Sequence, residues 1–182
     1  MSDNKAFYVT TPLYYANDEL HIGHAFSTLA ADIVSRYHRS MGHPVHFLTG
    51  SDEHGQKVEQ AARSKGLSPL EHTDSLVEKF KSLWELLDIT YDDFIRTTED
   101  RHKKVVAELL QKLYQKGDIY AANYNGWYCT PCERFWTEKE VPEKTCPDCK
   151  RAVHEIEEKN YFFKMSAYQQ ALIDHINHHP GF

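Results

Sequence analysis

Two groups of residues in this chain have the types and spacing for chemistry. The first is His21-Ile22-Gly23-His24. Imidazoles three positions apart on a helix face the same space. Each can donate a hydrogen bond to a phosphate oxygen and stabilise charge in a transition state. Gly23 between them lets a ligand approach the backbone. The second group is Cys129-Thr130-Pro131-Cys132, then 13 residues, then Cys146-Pro147-Asp148-Cys149. Two such knuckles place four thiolates at about 2.3 Å from one zinc ion, and a closed shell of four Cys marks a structural site. The gap is slightly below the roughly 15–20 residues usual for a zinc ribbon. Two disulfides or four free thiols are the alternatives, and both suit a cytosolic chain poorly. A redox Cys-x-x-Cys would need a thioredoxin-like βαβ unit around it, and none is evident.

A four-residue histidine motif gains meaning from the elements that position it. Phe7 to Thr11 is aromatic and β-branched and reads as a strand. Pro12 ends it, and a loop follows through Asn17 and Asp18. Phe26, Leu29, Ala30, Ile33, Val34 and Tyr37 then recur at helical spacing, closed by Gly42. Pro44 to Thr49 reads as a second strand. Strand, helix, strand is a βαβ unit, so the fold class is α/β with a parallel sheet. His21 to His24 falls at the first strand-to-helix junction, where ligands of open α/β sheets bind. Free N–H groups and the positive dipole end of a helix attract phosphate there.

Further helices are expected from Val58 to Lys65 and from a capping box at Ser68-Pro69-Leu70-Glu71 to about Leu87. Phe94-Ile95-Arg96 reads as a short strand, and Thr98 as the cap of a helix ending at Gly117. Beyond Gly117 the texture changes. Asp118 to Trp136 is rich in aromatic and turn residues and reads as short strands around a Cys-bearing loop. Val153 to Lys164 reads as a strand, and Ser166 to Gln169 as a capping box opening a helix to about His178. A domain boundary is placed near Gly117.

The 182 residues suit one domain, or one domain and part of another. With 41% hydrophobic and 26% charged residues the chain is globular. A net charge of -6 argues against a surface that grips nucleic acid all over, and leaves room for a local basic patch. No apolar run approaches the ~18 residues needed to span a bilayer. Met1 to Lys5 lacks the pattern of a secretory signal. A cytoplasmic location without membrane contact is therefore expected.

Thr10-Thr11-Pro12-Leu13-Tyr14-Tyr15-Ala16-Asn17 leads into His-Ile-Gly-His, and Leu48-Thr49-Gly50-Ser51-Asp52-Glu53-His54-Gly55 closes the second strand. With Asp92 to Thr98 and Gly126-Trp127-Tyr128-Cys129, these blocks resemble the class I aminoacyl-tRNA synthetases, specifically the methionyl family of bacterial type. The likeness runs along essentially the whole chain. The leucyl, isoleucyl, valyl and cysteinyl families share the His-Ile-Gly-His signature, but the Asp52 to Gly55 block is not associated with them.

The resemblance implies that residues 1–117 form the first half of a Rossmann-like catalytic domain and residues 118–182 an inserted connective domain with a zinc knuckle. It implies ATP-dependent activation of methionine to methionyl-adenylate and transfer to tRNA(Met). His21 and His24 would be catalytic, and with Gly23 would bind ATP, accompanied by Mg2+. Leu13, Tyr15 and Asp52 would hold L-methionine, with Asp52 on its α-ammonium. Cys129, Cys132, Cys146 and Cys149 would hold one structural Zn2+. From the residues alone, Asp52 equally fits a helix N-cap, and Leu13 and Tyr15 fit ordinary core packing. His54 and Gly55 have no firm role. His72, His102, His154, His175, His178 and His179 carry no motif.

Lys164-Met165-Ser166 imitates the start of Lys-Met-Ser-Lys-Ser, the second class I signature, but continues as Ala167-Tyr168. Ser166 is read instead as a helix cap. In the family the true signature lies much further along. The resemblance therefore makes these residues the amino-terminal part of such a synthetase, weak or inactive alone, with apolar faces and strand edges exposed. Two other readings remain open, a stand-alone tRNA- or zinc-binding module without catalysis and another class I synthetase; a nucleotidylyltransferase also uses His-x-Gly-His, but the Cys knuckle and Tyr14-Tyr15-Ala16-Asn17 argue against it.

Overall fold

A computed structural model describes residues 6–181; the reading of Met1 to Lys5 and the last residue, Phe182, lie outside them. The chain divides into two compact units, Met1–Lys103 and Lys104–Phe182. Among the described residues no helix is long and apolar enough to cross a membrane.

The first unit is a parallel sheet with helices. Its strands are β1 (Phe7–Thr10), β2 (Tyr14–Tyr15), β3 (Val45–Asp52) and β4 (Asp93–Arg96). Its helices are α1 (Ile22–Ser40), α2 (Gln56–Ser64), α3 (Pro69–Leu86) and the start of α4 (Asp100–Lys116). β3 is central: Leu48 pairs with Thr10 on one edge and Asp93 on the other, and Ser51 with Tyr14 and Arg96. β1 and β2 therefore share one edge. The four steps from Thr10 to Tyr14 match three on β3, from Leu48 to Ser51, so Pro12 lies in a one-residue bulge. Proline has no N–H to give the ladder, which is why the strand breaks there. The bulge makes β2, expected only as loop, a second short piece of strand at the carboxyl end of β3. Gly50 is required beside it: a Cβ there would stand 2.0 Å from the Ile95 carbonyl of β4.

The core of this unit is Tyr14, Ala16, Leu76, Val77, Phe80, Trp84 and Phe94. α3 supplies four of them, and its expected capping box is present, with Ser68 and Glu71 bonded reciprocally around Pro69. The helix expected from Phe26 to Tyr37 is present as α1. Phe26, Ile33, Val34 and Tyr37 are exposed, and Thr28, Ala31, Asp32 and Ser35 are buried. Those four also repeat at helical spacing, and their small side chains pack close. Asp32 is secured by the Thr90 N–H at 2.7 Å, the Thr90 hydroxyl at 2.6 Å and the Arg36 Nε at 2.6 Å.

Thr98 does not cap α4. The helix opens at Asp100, and the Thr98 hydroxyl donates to the Glu53 carboxylate instead. A buried carboxylate is the stronger acceptor for it.

The second unit is an antiparallel sheet of β5 (Ile119–Cys129), β6 (Arg134–Trp136) and β7 (His154–Phe163), in the order β6-β5-β7. The expected short strands before Cys129 are one continuous strand of 11 residues, paired with β7 from Ile119↔Phe163 to Tyr128↔His154. Met165–Tyr168 forms a 3-10 turn, and α5 (Gln169–His178) begins only after it, with Tyr168 at its N-cap. Ser166 is thus inside a turn and not a helix cap. Lys164 ends the strand segment, its N–H bonded to the Asp118 carbonyl at 2.8 Å.

Candidate functional site

His21 is the N-cap of α1, in extended backbone at φ -122° and ψ 176°. Its Nδ1 accepts the Gly23 N–H at 3.1 Å. The Nδ1 of His24 accepts the His21 N–H at 3.0 Å. The two imidazoles therefore perform the capping that Ser and Glu perform elsewhere. One expectation changes. Fewer N–H groups at this helix end are free for an anion than expected, because His21, Gly23 and His24 all use theirs locally. With Nδ1 accepting, a neutral ring carries its proton on Nε2. Both histidines thus present an Nε2–H donor, with ring centroids 3.9 Å apart. No acidic residue stands in the first turn to oppose an anion. Burial, and next the neighbouring His21, push the His24 pKa down, so the neutral donor form is favoured.

Gly23 is explained by the same geometry. A Cβ there would lie 2.9 Å from His21 Cε1 and 3.1 Å from its Nδ1, displacing the capping ring.

β2 joins this turn to the end of β3. The Tyr14 hydroxyl lies 2.6 Å from Thr28 Oγ1 and 3.3 Å from the His24 carbonyl, and Thr28 Oγ1 donates to that carbonyl at 3.0 Å. The Tyr14 ring meets the His24 ring edge-on at 5.0 Å. Tyr15 pairs in register with Asp52, and Ala16 N–H donates to the Asp52 carbonyl at 2.8 Å. Asp52 is the last residue of β3 and half-buried; Gly55, at φ 111°, is the N-cap of α2. The cap alternative for Asp52 therefore fails, since a strand end holds it. Leu13 is 36% exposed and Tyr15 half-buried, and neither belongs to the core.

In the second unit the four cysteine sulfurs lie within 4.8 Å of one another. Cys129 and Cys149 Sγ are 3.4 Å apart, and Cys132 and Cys146 Sγ 3.8 Å, so no disulfide is formed. A tetrahedral zinc site with bonds of about 2.3 Å has sulfurs separated by about 3.8 Å. The donor set fits that metal. Each Cys-x2-Cys is followed by a residue in left-handed backbone, Glu133 at φ 50° and Lys150 at φ 61°, which folds the knuckle back. A hydrogen bond to Cys149, then burial, pushes Cys132 up to about 12. Burial opposes the Cys146 thiolate, but the Cys149 and Asp148 N–H groups together with the Cys129 and Cys149 thiols outweigh it and bring Cys146 down to about 6. Trp136, Val141 and Val153 pack with Cys129 and Cys146 into a small core.

The geometry has close relatives. A family model described as "tRNA synthetases class I (M)" matches residues 7–155. The chain belongs to the class I tRNA synthetases of this group. Methionine–tRNA ligase of Caldanaerobacter subterraneus subsp. tengcongensis is 52% identical over 178 residues, covering 98% of this chain and 28% of that protein. The Thermotoga maritima methionine–tRNA ligase is 54% identical over 97% of the chain and 29% of its own length. The Mycobacterium tuberculosis methionyl-tRNA synthetase, solved with methionyl-adenylate, superposes with a TM-score of 0.89 at 39% identity, over 98% of this chain and 36% of that one. The chain spans under a third of the length of the curated relatives named here.

In this class I synthetase chain, the fold brings together His21, Gly23 and His24 on one helix turn, Tyr15 and Asp52 in one register, and the four cysteines in one shell. Sequence reasoning passed over Tyr14, Thr28, Glu53 and Arg96. Tyr14 and Glu53 stand inside the quoted motif blocks beside Tyr15 and Asp52. A β-strand alternates its faces, so the neighbour of a site residue points away and into support.

Proposed function

We propose that this chain supplies the nucleotide-binding half and the zinc knuckle of an enzyme that activates L-methionine with ATP and transfers it to tRNA(Met). Residues 1–117 serve as the first half of the catalytic domain, and residues 118–182 as the connective domain. The observation that carries this reading is the paired imidazole cap. With both Nδ1 atoms accepting inside the turn, it leaves two Nε2–H donors at the strand-to-helix junction, one strand from Asp52. In the reaction, a methionine carboxylate oxygen attacks the ATP α-phosphorus. The bond to the bridging oxygen breaks, pyrophosphate leaves, and methionyl-adenylate forms. His21 and His24 donate to phosphate oxygens as negative charge redistributes in the transition state. Gly23 leaves the room the His21 ring needs. Asp52 holds the α-ammonium by a charge-assisted hydrogen bond, and Leu13 with Tyr15 walls the thioether, a polarisable group suited to an aromatic neighbour. Mg2+ accompanies ATP and offsets its phosphate charge.

Cys129, Cys132, Cys146 and Cys149 hold one Zn2+, which supplies folding energy to the knuckle and takes no part in the reaction. Four reduced thiols accord with a cytoplasmic protein.

The test is methionine-dependent ATP–pyrophosphate exchange by the protein expressed from its natural reading frame. Exchange that needs methionine and falls in His21→Ala and His24→Ala supports the reading. Absence of exchange, or equal exchange with leucine, isoleucine or valine, overturns it.

A further inference from the structure

Beside Asp52 lies a charge cluster that the reaction above does not use. Glu53 follows Asp52 directly, and its side chain is 0% exposed. An isolated carboxylate could not remain charged there without partners. Glu53 has a full set. Arg96 Nε and Nη2 reach its two oxygens at 2.7 and 3.1 Å, a bidentate pair. The Ser51 hydroxyl donates at 2.5 Å, and the Thr98 hydroxyl donates to the other oxygen. Arg96 also meets Asp74 of α3 at 2.6 Å.

The backbone repeats the connection. Thr97 N–H donates to the Ser51 carbonyl at 3.2 Å, and Glu53 N–H donates to Thr97 Oγ1 at 2.9 Å. His54 Nε2 lies 3.2 Å from the Thr97 carbonyl. The carboxyl ends of β3 and β4 are thus laced together by Ser51, Glu53 and His54 on one side and Arg96, Thr97 and Thr98 on the other. On the opposite edge Ala16 N–H grips the Asp52 carbonyl.

We infer that Glu53 and Arg96 are positioning residues: their buried pair fixes the end of β3 so that Asp52 presents its carboxylate to the amino acid's ammonium group. Neither touches substrate. The inference rests on the role proposed above for Asp52. Holding a charged partner to a fraction of an ångström is what a bidentate contact needs, and it requires a locked support. A Gln at position 53 keeps the shape and loses the charge. A Lys at 96 keeps the charge and loses the fork.

The experiment compares the unaltered protein with Glu53→Gln and Arg96→Lys in two measurements. Hydrogen exchange reads the clamp by itself: both variants should lose protection at the Glu53 and Thr97 amides, while amides of α3 stay protected. Calorimetric titration reads its consequence: affinity for L-methionine should fall on the order of tenfold, with ATP affinity changed less than about twofold. Equal losses for methionine and ATP would mean general destabilisation and overturn the inference. So would unchanged exchange at Glu53 and Thr97, or unchanged methionine affinity in both variants. If the unaltered protein takes no methionine, the functional reading of Asp52 fails and the positioning role falls with it. The exchange result then shows separately whether the clamp exists.

Discussion

The His21 N–H donates to the Nδ1 of His24 at 3.0 Å, across the first turn of α1. A backbone donor cannot reverse its role, so this contact dictates the tautomer of His24. The matching contact from Gly23 dictates that of His21. The outward nitrogens become donors because the inward ones are occupied.

Gly23→Ala should separate stability from function. Alanine is favoured over glycine in a helix by about 1 kcal/mol, and loss of the His21 cap costs about as much, so thermal stability should change little. The new Cβ would sit 2.9 Å from His21 Cε1 and force that ring off its cap. Losing one aligned donor should lower the rate of adenylate formation roughly 10²–10³-fold. A melting curve and a pyrophosphate-exchange assay on the same sample check both halves.

Acid should undo the cap at His24. Its pKa is lowered in the folded protein, first by burial and then by His21. Between that lowered value and the ordinary 6.5, the unfolded chain binds the proton more readily. Stability therefore rises with pH across this window; the contribution is complete above the ordinary value and lost as pH falls through the folded one. Protonation places a hydrogen on Nδ1, and the His21 N–H loses its acceptor. An NMR titration of the His24 ring should show a midpoint below 6.5 together with a shift of the His21 amide; a midpoint above it would contradict the cap.

Tyr14→Phe should loosen the turn gently. The phenol lies 2.6 Å from Thr28 Oγ1, which still has the His24 carbonyl to bond. One buried hydrogen bond is lost without leaving a donor stranded, a cost of about 1 kcal/mol. The ring packing against Trp84 remains. Chemical denaturation should show that small loss, and ATP affinity should weaken because the His24 backbone is less firmly held.

The knuckle should bind one zinc per chain. Elemental analysis of protein purified without chelator checks the stoichiometry. Chelation or Cys132→Ser should release the packing of Trp136, Val141 and Val153 around the thiols. Hydrogen exchange should then rise in residues 127–153 and stay unchanged in β1, β3 and α3. Zinc-free protein with a protected knuckle would count against a metal site.

Much of this arrangement is legible in residue order. A strand, a loop and a helical repeat with two histidines at the junction place the phosphate-facing turn. Paired Cys-x2-Cys spacing places the metal shell, and Ser68-Pro69-Leu70-Glu71 places a helix start. These features are local: each depends on backbone rules within a few residues. Side-chain partners and buried faces are less legible. Thr98 has the type for a helix cap, yet its hydroxyl turns to Glu53, which is 45 residues away. Ser166 has the spacing of a capping box, yet a 3-10 turn absorbs it. The α1 stripe of Phe26, Ile33, Val34 and Tyr37 has the period of a core face, yet the small stripe of Thr28, Ala31, Asp32 and Ser35 is buried.

The sequence by itself determined the class of fold, the family and the chemically active residue types, because periodicity, turn residues and motif spacing act at short range. Only the tertiary structure decided which atoms face outward. The His-Ile-Gly-His tautomers follow from backbone N–H directions, the place of Asp52 from its register with Tyr15, and the burial of Glu53 from Arg96 on the neighbouring strand. Those are pairings between residues far apart in the chain, and hydrogen-bond geometry between strands is not written in the order of residues along one of them.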